Sequence, residues 1–258
     1  MTDDEPGPAS AADAPETGRT ASIERVLHLL RHGRIKLEGL MPNSSNYTFL
    51  ATVSQPDLQC LAVYKPQRGE RPLWDFPRGT LYKREYAAFV VAMALDWMLV
   101  PPTVIRRGPH GVGALQLFID SVPEGNFFSL REHIPGVFQR LCAFDYIINN
   151  ADRKGGHCLL GKDGRMWAID HGITFHAEFK LRTVIWDWAG EPLPDGILQD
   201  IRRLQAKLTD DAALNAALGK LLLANEMDAL RQRLYTLIES GVFPQPHPDL
   251  PNVPWPLL

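Results

Sequence analysis

Short apolar runs separated by polar turns dominate the first part of the chain, after one amphipathic segment. Ile23 to His32 has the apolar spacing of a short helix. Ile35 to Leu40 predicts a first strand, and a turn of small polar residues, Asn43 to Asn46, leads into a β-rich stretch that ends at Val53. Leu61 to Tyr64 is another run of strand length. We therefore expect consecutive antiparallel strands joined by turns.

A helix and a strand pair follow a polar loop, Arg68 to Thr80, that is rich in glycine and proline. Apolar residues recur at helical spacing from Tyr82 to Val100, and Pro101-Pro102 ends this predicted helix. Thr103 to Arg107 and Ala114 to Asp120 predict two strands around a glycine-rich turn.

The second half of the chain is mainly helical in its pattern. Phe127 to His133 and Val137 to Asn149 predict helices, and Cys158 to Leu160 and Met166 to Ile169 predict a short hairpin. Helical periodicity returns after about residue 196. A strand-rich half with one helix, followed by a helical half with one hairpin, predicts an α+β fold with two lobes.

Four parts follow from this pattern. Residues 1–21 lack apolar periodicity and predict a disordered leader. Residues 22–120 would form an N-lobe, and residues 121–242 would form a C-lobe. Residues 243–258 are rich in proline, which predicts an extended surface tail.

Composition narrows the class of protein. The 258 residues are 45% hydrophobic and 22% charged, which leaves room for one large or bilobed domain. A net charge of −3 gives no basic footprint for nucleic acid. The three cysteines match no zinc or disulfide spacing. No apolar run has the length of a membrane span, and the acidic N-terminal residues do not match a secretory signal. We therefore expect a cytoplasmic protein.

Two features of the first half suit phosphoryl transfer, which requires positioned phosphates, neutralised charge and an oriented nucleophile. The turn from Asn43 to Tyr47 contains Ser44 and Ser45, small residues that let backbone N–H groups approach phosphates. An ordinary hairpin turn is the alternative. Lys65 ends a strand, where its ammonium can bind phosphates, and Glu85 on the next helix can hold it. Two solvated charges are the alternative.

Two aspartates of the second half complete the set. Asp152 lies where a helix ends in a polar loop, a position from which a carboxylate can accept or orient a hydroxyl proton. Asp170 lies at the end of a strand, and its oxygens suit magnesium. A capped helix end and a strand-ending turn are the respective alternatives. Their separation of 18 residues fits a catalytic loop and a metal aspartate joined by one β-hairpin.

These motifs resemble those of the type II phosphatidylinositol 4-kinases. D-Y-I-I-N-N-A-D-R, Asp145 to Arg153, is similar to their catalytic loop, which reads close to D-Y-I-I-R-N-T-D-R. Further segments that resemble the family are the metal motif Ala168 to Gly172, the hinge strand Gln116 to Ile119, the lysine strand Val63 to Pro66 and the tryptophan segment Trp186 to Trp188. Order and rough spacing agree over about residues 40 to 190. The pattern is also similar to actinobacterial kinase-fold proteins and, more distantly, to HipA-type kinases.

The resemblance implies an α+β, bilobed, protein-kinase-like fold of the PI3/PI4-kinase type, with a β-rich N-lobe and a mainly helical C-lobe. It implies a kinase that uses ATP with Mg²⁺ or Mn²⁺, and an acceptor that is a lipid, a protein or a small molecule. In this interpretation Lys65 would bind the phosphates of ATP, and Glu85 would pair with Lys65.

The resemblance also assigns the remaining site residues. Phe118 and Ile119 would lie at the adenine hinge, Asp152 would be the catalytic aspartate, and Asp170 would hold the metal. The family has an asparagine as second metal ligand five residues after the catalytic aspartate, where this chain has His157. Histidine suits softer ions than magnesium. The family's cysteine cluster for lipid attachment is absent from the loop of residues 67–80.

Two alternatives to an active kinase stay open at this point. The chain could be a pseudokinase, a nucleotide-binding module that regulates a partner, because His157 replaces asparagine and the first loop lacks glycine. It could also transfer AMP instead of phosphate. The aromatic loop Trp74–Asp75–Phe76 and Trp255 in the tail are candidate contacts for a protein partner, or each covers a local apolar patch.

Overall fold

The computed structural model of the chain describes residues 22–42 and 46–258. The predicted leader and three residues of the predicted phosphate turn, Asn43, Ser44 and Ser45, lie outside the described residues. The elements of the first half are α1 (Ile23–His32), β1 (Arg34–Leu40), β2 (Phe49–Gln55), β3 (Leu58–Pro66), α2 (Leu81–Ala94), β4 (Thr103–Gly108) and β5 (Gly111–Leu117).

The five strands form one antiparallel sheet in the order β1-β2-β3-β5-β4. A hydrophobic core forms between this sheet and α1, where Leu29 and Leu30 pack with Tyr64 and Leu115. Side chains of a strand alternate between its two faces. Because Tyr64 is buried in this core, the next residue, Lys65, projects from the opposite face of β3.

The helix predicted from Tyr82 to Val100 is wrong at its C-terminal end, because α2 ends at Ala94. Asp96 has a positive φ of 58°, which turns the backbone out of the helix. The indole Nε1 of Trp97 then donates a hydrogen bond of 2.7 Å to Asp200 in a distant helix. A tertiary contact therefore replaces the last turns that helical periodicity predicts.

The strand predicted from Ala114 to Asp120 begins and ends earlier than expected. Gly108 pairs with Gly111 across a two-residue turn, so β5 starts directly after that turn. Gly111 has a φ of 99°, which glycine adopts without a steric clash. Local turn geometry thus sets the register of the hairpin.

The second half is helical apart from one hairpin. Its elements are α3 (Phe127–Leu130), α4 (Pro135–Ile147), β6 (Cys158–Leu160), β7 (Met166–Ala168), α5 (Asp195–Asp210), α6 (Ala212–Gly219) and α7 (Ala224–Ser240). The apolar stripe of α7 shows why it packs inward: Leu230, Leu234 and Leu237 follow helical spacing and are buried in the larger core. The α+β layout with a β-rich N-lobe and a mainly helical C-lobe is confirmed.

No helix within residues 22–42 and 46–258 is long and apolar enough to cross a membrane.

A buried ion pair attaches α2 to the helical half of the chain. The guanidinium of Arg84 contacts the carboxylate of Glu226 at the start of α7, and both side chains are almost fully buried. Arg84 also donates to the backbone oxygen of Thr174. The neighbouring residue on α2 is Glu85, so this contact helps to set the position of a predicted site residue.

We expect Glu226→Ala to lower the free energy of unfolding by about 3–5 kcal/mol, because it leaves a buried guanidinium without its counter-charge. Urea denaturation measures this change. The control is Glu239→Ala on the exposed face of α7, for which we expect a change within about 0.5 kcal/mol. Equal effects of the two substitutions would contradict a structural role for the Arg84–Glu226 contact.

Candidate functional site

Lys65 joins two carboxylates that are far apart in the sequence. Its ammonium contacts Glu85 on α2 and lies 3.0 Å from Asp170 Oδ1, directly after β7. The second oxygen of Glu85 accepts a hydrogen bond of 3.0 Å from the backbone N–H of His171. Glu85 therefore fixes both the lysine and the backbone beside Asp170.

The charges of this cluster shift each other's protonation. Burial on its own lowers the pKa of Lys65, but the carboxylates of Asp170 and Glu85 outweigh it and the pKa is raised. The Lys65 ammonium holds the pKa of Asp170 well below its ordinary value. Burial raises the pKa of Glu85 against the opposing effect of Lys65. One ammonium thus faces two carboxylates, and it lowers the pKa of Asp170 more effectively than that of the buried Glu85.

Asp170 is presented to solvent by an unusual backbone. Its φ is 62°, in the left-handed region that aspartate adopts more readily than most residues. Its side chain is 54% exposed, whereas that of Glu85 is almost fully buried. Asp170 can therefore accept a further cation on its open side, and Glu85 cannot.

Asp152 lines the same cleft, at the loop that follows α4. The cleft walls include Lys65, Glu85, Asp152 and Asp170. Burial raises the pKa of Asp152, although the ammonium of Lys154, 3.5 Å from Oδ2, opposes this shift. A carboxylate with a raised pKa is a better proton acceptor in its ionised form. The structure thus brings four of the sequence-predicted site residues to one place.

His157 lies at the edge of this cluster, in a single turn of 3-10 helix, Gly155–His157. Its Nε2 is 3.6 Å from Asp170 Oδ2. Burial lowers the pKa of His157 to about 4, so the ring is neutral at pH 7. Its Nδ1 accepts a long hydrogen bond of 3.4 Å from the N–H of Lys154, so the proton of the neutral ring is on Nε2, facing Asp170. A metal ion bound at Nε2 would move this proton to Nδ1 and replace the hydrogen bond from Lys154.

The donor set fits a metal ion that is also bound by phosphates. No group of three or more His, Cys, Asp or Glu side chains within the described ranges could hold a metal by itself. Mg²⁺ needs only one or two protein carboxylates when phosphates and water supply the other ligands. Two ligand atoms at about 2.1 Å from one ion stand about 3 Å apart at a right angle. Asp170 and His157, with 3.6 Å between Oδ2 and Nε2, are close to that spacing.

A buried network shapes the loop around Asp152, and the pair Asp152-Arg153 was the only sign of it in the sequence. Arg153 and Asp145 are fully buried and share several hydrogen bonds of 3.0–3.2 Å. Arg153 also donates to the backbone oxygen of Ile169 at 2.9 Å and contacts His171 Nε2 at 2.8 Å. One side chain therefore holds the loop of Asp152 against the strand end of Asp170.

Other predicted residues are placed elsewhere or are outside the described residues. Phe118 and Ile119 follow β5, where the N–H of Phe118 bonds to the oxygen of Leu61, and neither lines the cleft of Lys65. Ser44 and Ser45 lie outside the described residues. A larger groove of about 870 Å³ lies elsewhere and contains none of the predicted site residues.

Two further residues line the cleft: Glu70, which was not singled out in the sequence, and Tyr47, which was noted only as the end of the predicted phosphate turn. Glu70 accepts a hydrogen bond of 2.8 Å from the N–H of Tyr82, and burial raises its pKa. Tyr47 is largely exposed, and its backbone N–H bonds to the oxygen of Gly69. No spacing signal marks either residue, because each reaches the cleft through a loop.

The aromatic loop and the tail expose one tryptophan each. Trp74 is 94% exposed, and the ammonium of Lys180 lies 5.4 Å from its ring centre. Phe76 in the same loop is buried against the ring of His176. The contact with His176 supports a packing role for Phe76. Trp74 is exposed and stays a candidate contact for a protein partner.

Solved structures share this fold at low sequence identity. The crystal structure of the Golgi casein kinase with Mn/ADP bound aligns with a TM-score of 0.55 and 17% identity, over 88% of this chain and 80% of that chain. The Helicobacter pylori proinflammatory kinase CtkA aligns with a TM-score of 0.52 and 10% identity, over 83% of this chain and 94% of that one. These similarities establish a protein-kinase-like fold.

Sequence comparisons identify the family. The phosphatidylinositol 3- and 4-kinase family model matches residues 106–226. Phosphatidylinositol 4-kinase gamma 4 of Oryza sativa is 32% identical over 106 residues, 36% of this chain and 19% of that protein. Protein Rv2133c of Mycobacterium tuberculosis is 40% identical over 265 residues, 88% of this chain and 94% of that protein. The chain therefore belongs to the bacterial PI3/PI4-kinase-like family that includes this mycobacterial protein.

Proposed function

We propose that the chain is a kinase that transfers the γ-phosphate of ATP to a hydroxyl acceptor with the help of Mg²⁺ or Mn²⁺. The family and the fold support a phosphotransferase. The observation that carries the finer proposal is the contact of Lys65 with both Glu85 and Asp170, in a cleft that Asp152 also lines. A cationic group, a metal-suited carboxylate and a proton acceptor are the parts that phosphoryl transfer needs.

Each residue of the cleft has a chemical role in this proposal. Lys65 binds phosphate oxygens as a point charge, and Glu85 keeps it in place. Asp170 and His157 would hold the metal ion, which would supply positive charge to neutralise the phosphates. Asp152 orients the acceptor hydroxyl and takes its proton. A bond forms between the hydroxyl oxygen and the γ-phosphorus, the bond from the γ-phosphorus to its bridging oxygen breaks, and ADP leaves.

The second candidate is a nucleotide-binding module without transfer. Two observations favour it: His157 stands where the family has asparagine, and Lys65 already contacts Asp170 directly. That contact has to loosen before phosphate oxygens and a metal ion share the two groups. The experiments below separate the two candidates, because binding and transfer are measured independently.

We expect ATP with Mg²⁺ or Mn²⁺ to raise the thermal unfolding temperature, and Asp170→Ala to remove this metal-dependent shift. A ligand of the folded state stabilises it by about 2.7 kcal/mol at a hundredfold excess over its Kd. Differential scanning fluorimetry with ATP, each metal and each combination measures the effect. Asp210→Ala, on the exposed end of α5, is the control and should behave like the wild type. A full shift in Asp170→Ala would contradict the metal role of Asp170.

We expect Asp152→Asn to retain the nucleotide-dependent shift and to slow phosphate release from ATP about 100- to 10,000-fold, because a proton acceptor is lost. Release of labelled phosphate to water or to an acceptor mixture measures the rate. Nucleotide binding by a wild-type protein that releases no phosphate would favour the second candidate. Covalent attachment of AMP to proteins, detected by mass, would indicate AMP transfer instead.

We expect the wild type to prefer Mn²⁺ to Mg²⁺ and His157→Asn to weaken this preference, because imidazole binds first-row transition ions better than Mg²⁺. Titration of each metal at constant ATP, read as the shift in unfolding temperature, gives the ratio of the two apparent affinities. His133→Asn, at an exposed position, is the control. An unchanged ratio in His157→Asn would exclude His157 as a metal ligand.

A further inference from the structure

The last residues of the sequence cross the loop that carries Asp152. The backbone oxygen of Asn252 accepts hydrogen bonds from the N–H of Thr183 at 3.0 Å and from the indole of Trp186 at 3.1 Å. Five residues later, the oxygen of Leu257 accepts a hydrogen bond of 2.8 Å from the N–H of Gly155. We call residues 253–258 the docked segment. It runs from the stretch that follows the metal motif to the catalytic loop.

The two stretches that the docked segment bridges also pair with each other. The N–H of Arg153 donates to the oxygen of Arg182 at 2.9 Å, and the N–H of Val184 donates to the oxygen of Arg153 at 3.1 Å. Arg153 directly follows Asp152 in the sequence. The docked segment therefore contacts the loop of Asp152 three residues after the aspartate, at Gly155.

The docked segment is held by the main-chain hydrogen bond between Gly155 and Leu257 and by little apolar burial. Trp255 is 86% exposed, Leu258 is 65% exposed and Val253 is 51% exposed, whereas Pro254 is buried. Segments with few buried apolar contacts open at low free-energy cost. The segment can therefore leave the loop while Asn252 stays attached.

The sequence of this region offers no side-chain hydroxyl group for phosphorylation. Residues 241–258 contain no serine, threonine or tyrosine, and Ser240 is the last hydroxyl residue of the sequence. The six residues of the docked segment include two prolines, which favour an extended conformation. A chain of this composition can occupy an acceptor groove without being modified.

We propose that the docked segment occupies the place of an extended polypeptide acceptor, so that the substrate of this kinase is a protein segment. The acceptor would receive a main-chain hydrogen bond from Gly155, as Leu257 does, and would place its hydroxyl at Asp152. Main-chain bonds supply affinity in this mode of recognition and side chains supply specificity. The inference rests on the proposed function, because it names the acceptor of the same site.

The reaction on such an acceptor is ordinary phosphoryl transfer. The side-chain oxygen of a serine bonds to the γ-phosphorus of ATP, the bond to the bridging oxygen breaks, Asp152 takes the hydroxyl proton, and ADP leaves. A serine introduced into the docked segment should therefore become phosphorylated by its own chain.

The first test introduces single hydroxyl groups into the full chain. We expect Leu257→Ser or Leu258→Ser to be labelled by ATP with Mn²⁺ or Mg²⁺, at a stoichiometry that does not depend on protein concentration, with the site found by mass spectrometry. Trp255→Ser is the matched control, because residue 255 precedes the part of the segment that lies against Gly155 and Gly156, and it should stay unlabelled. Labelling of Trp255→Ser alone would overturn the inference. The absence of label in all three variants would also overturn it, provided that the protein releases phosphate from ATP.

The second test measures the binding of a peptide of residues 251–258 and does not depend on phosphate transfer. A tethered segment has an effective concentration of about millimolar, so the full chain should bind the added peptide at least tenfold more weakly than a chain that ends at Asn252. Fluorescence anisotropy gives both affinities, and an unchanged unfolding temperature shows that the shortened chain is folded. Equal binding by both chains would overturn the inference even in a protein that binds nucleotide without transfer.

A lipid acceptor is a separate outcome. Phosphatidylinositol in phosphatidylcholine vesicles and a peptide of residues 251–258 with Leu257→Ser are offered separately to the shortened chain. Faster labelling of the lipid would overturn the protein acceptor and leave the proposed kinase function intact. Absence of both a nucleotide-dependent shift and any phosphate release would overturn the proposed function itself. The two failures are therefore distinguishable.

Discussion

The buried ion pair between Arg153 and Asp145 is the contact on which the site depends. Burying two charges costs desolvation free energy that their attraction roughly offsets, so such a pair adds little net stability. Its effect here is orientation. Arg153 contacts Asp145 at the end of α4, the oxygen of Ile169 at the end of β7, and the ring of His171. A guanidinium with five donors in a fixed plane can set three backbone segments at once, which lysine could not do.

A second constraint reaches the site from the opposite side. α2 is attached to the helical half by Arg84 and Glu226, and the next residue, Glu85, bonds to Lys65 and to the N–H of His171. The position of Lys65 relative to Asp170 is therefore set through a helix that contacts both halves of the chain.

The cleft and the docked segment also meet at one short stretch. Gly155 lies between Asp152 and His157, and its N–H bonds to Leu257. A Cβ at Gly155 would lie 2.4 Å from the ring of Phe128, so only glycine fits there. The same turn thus supplies the candidate metal ligand, faces the proposed acceptor groove and is closely packed on its other side. Binding of a metal and binding of an acceptor would both act on this turn.

The sequence by itself determined the helices and strands and the order of the candidate site residues along the chain. Periodicity predicted α1, the strands and the helical second half, because local propensity and loop length are encoded in neighbouring residues. The motif spacing predicted that Lys65, Glu85, Asp152 and Asp170 act together. The tertiary structure decided the rest. The bond from Trp97 to Asp200 shortened α2, the burial of Arg153 joined loop to strand, and the last residues of the sequence came to lie on the catalytic loop. Each of these depends on residues more than a few positions apart, whose contact free energies become available only when the fold has formed.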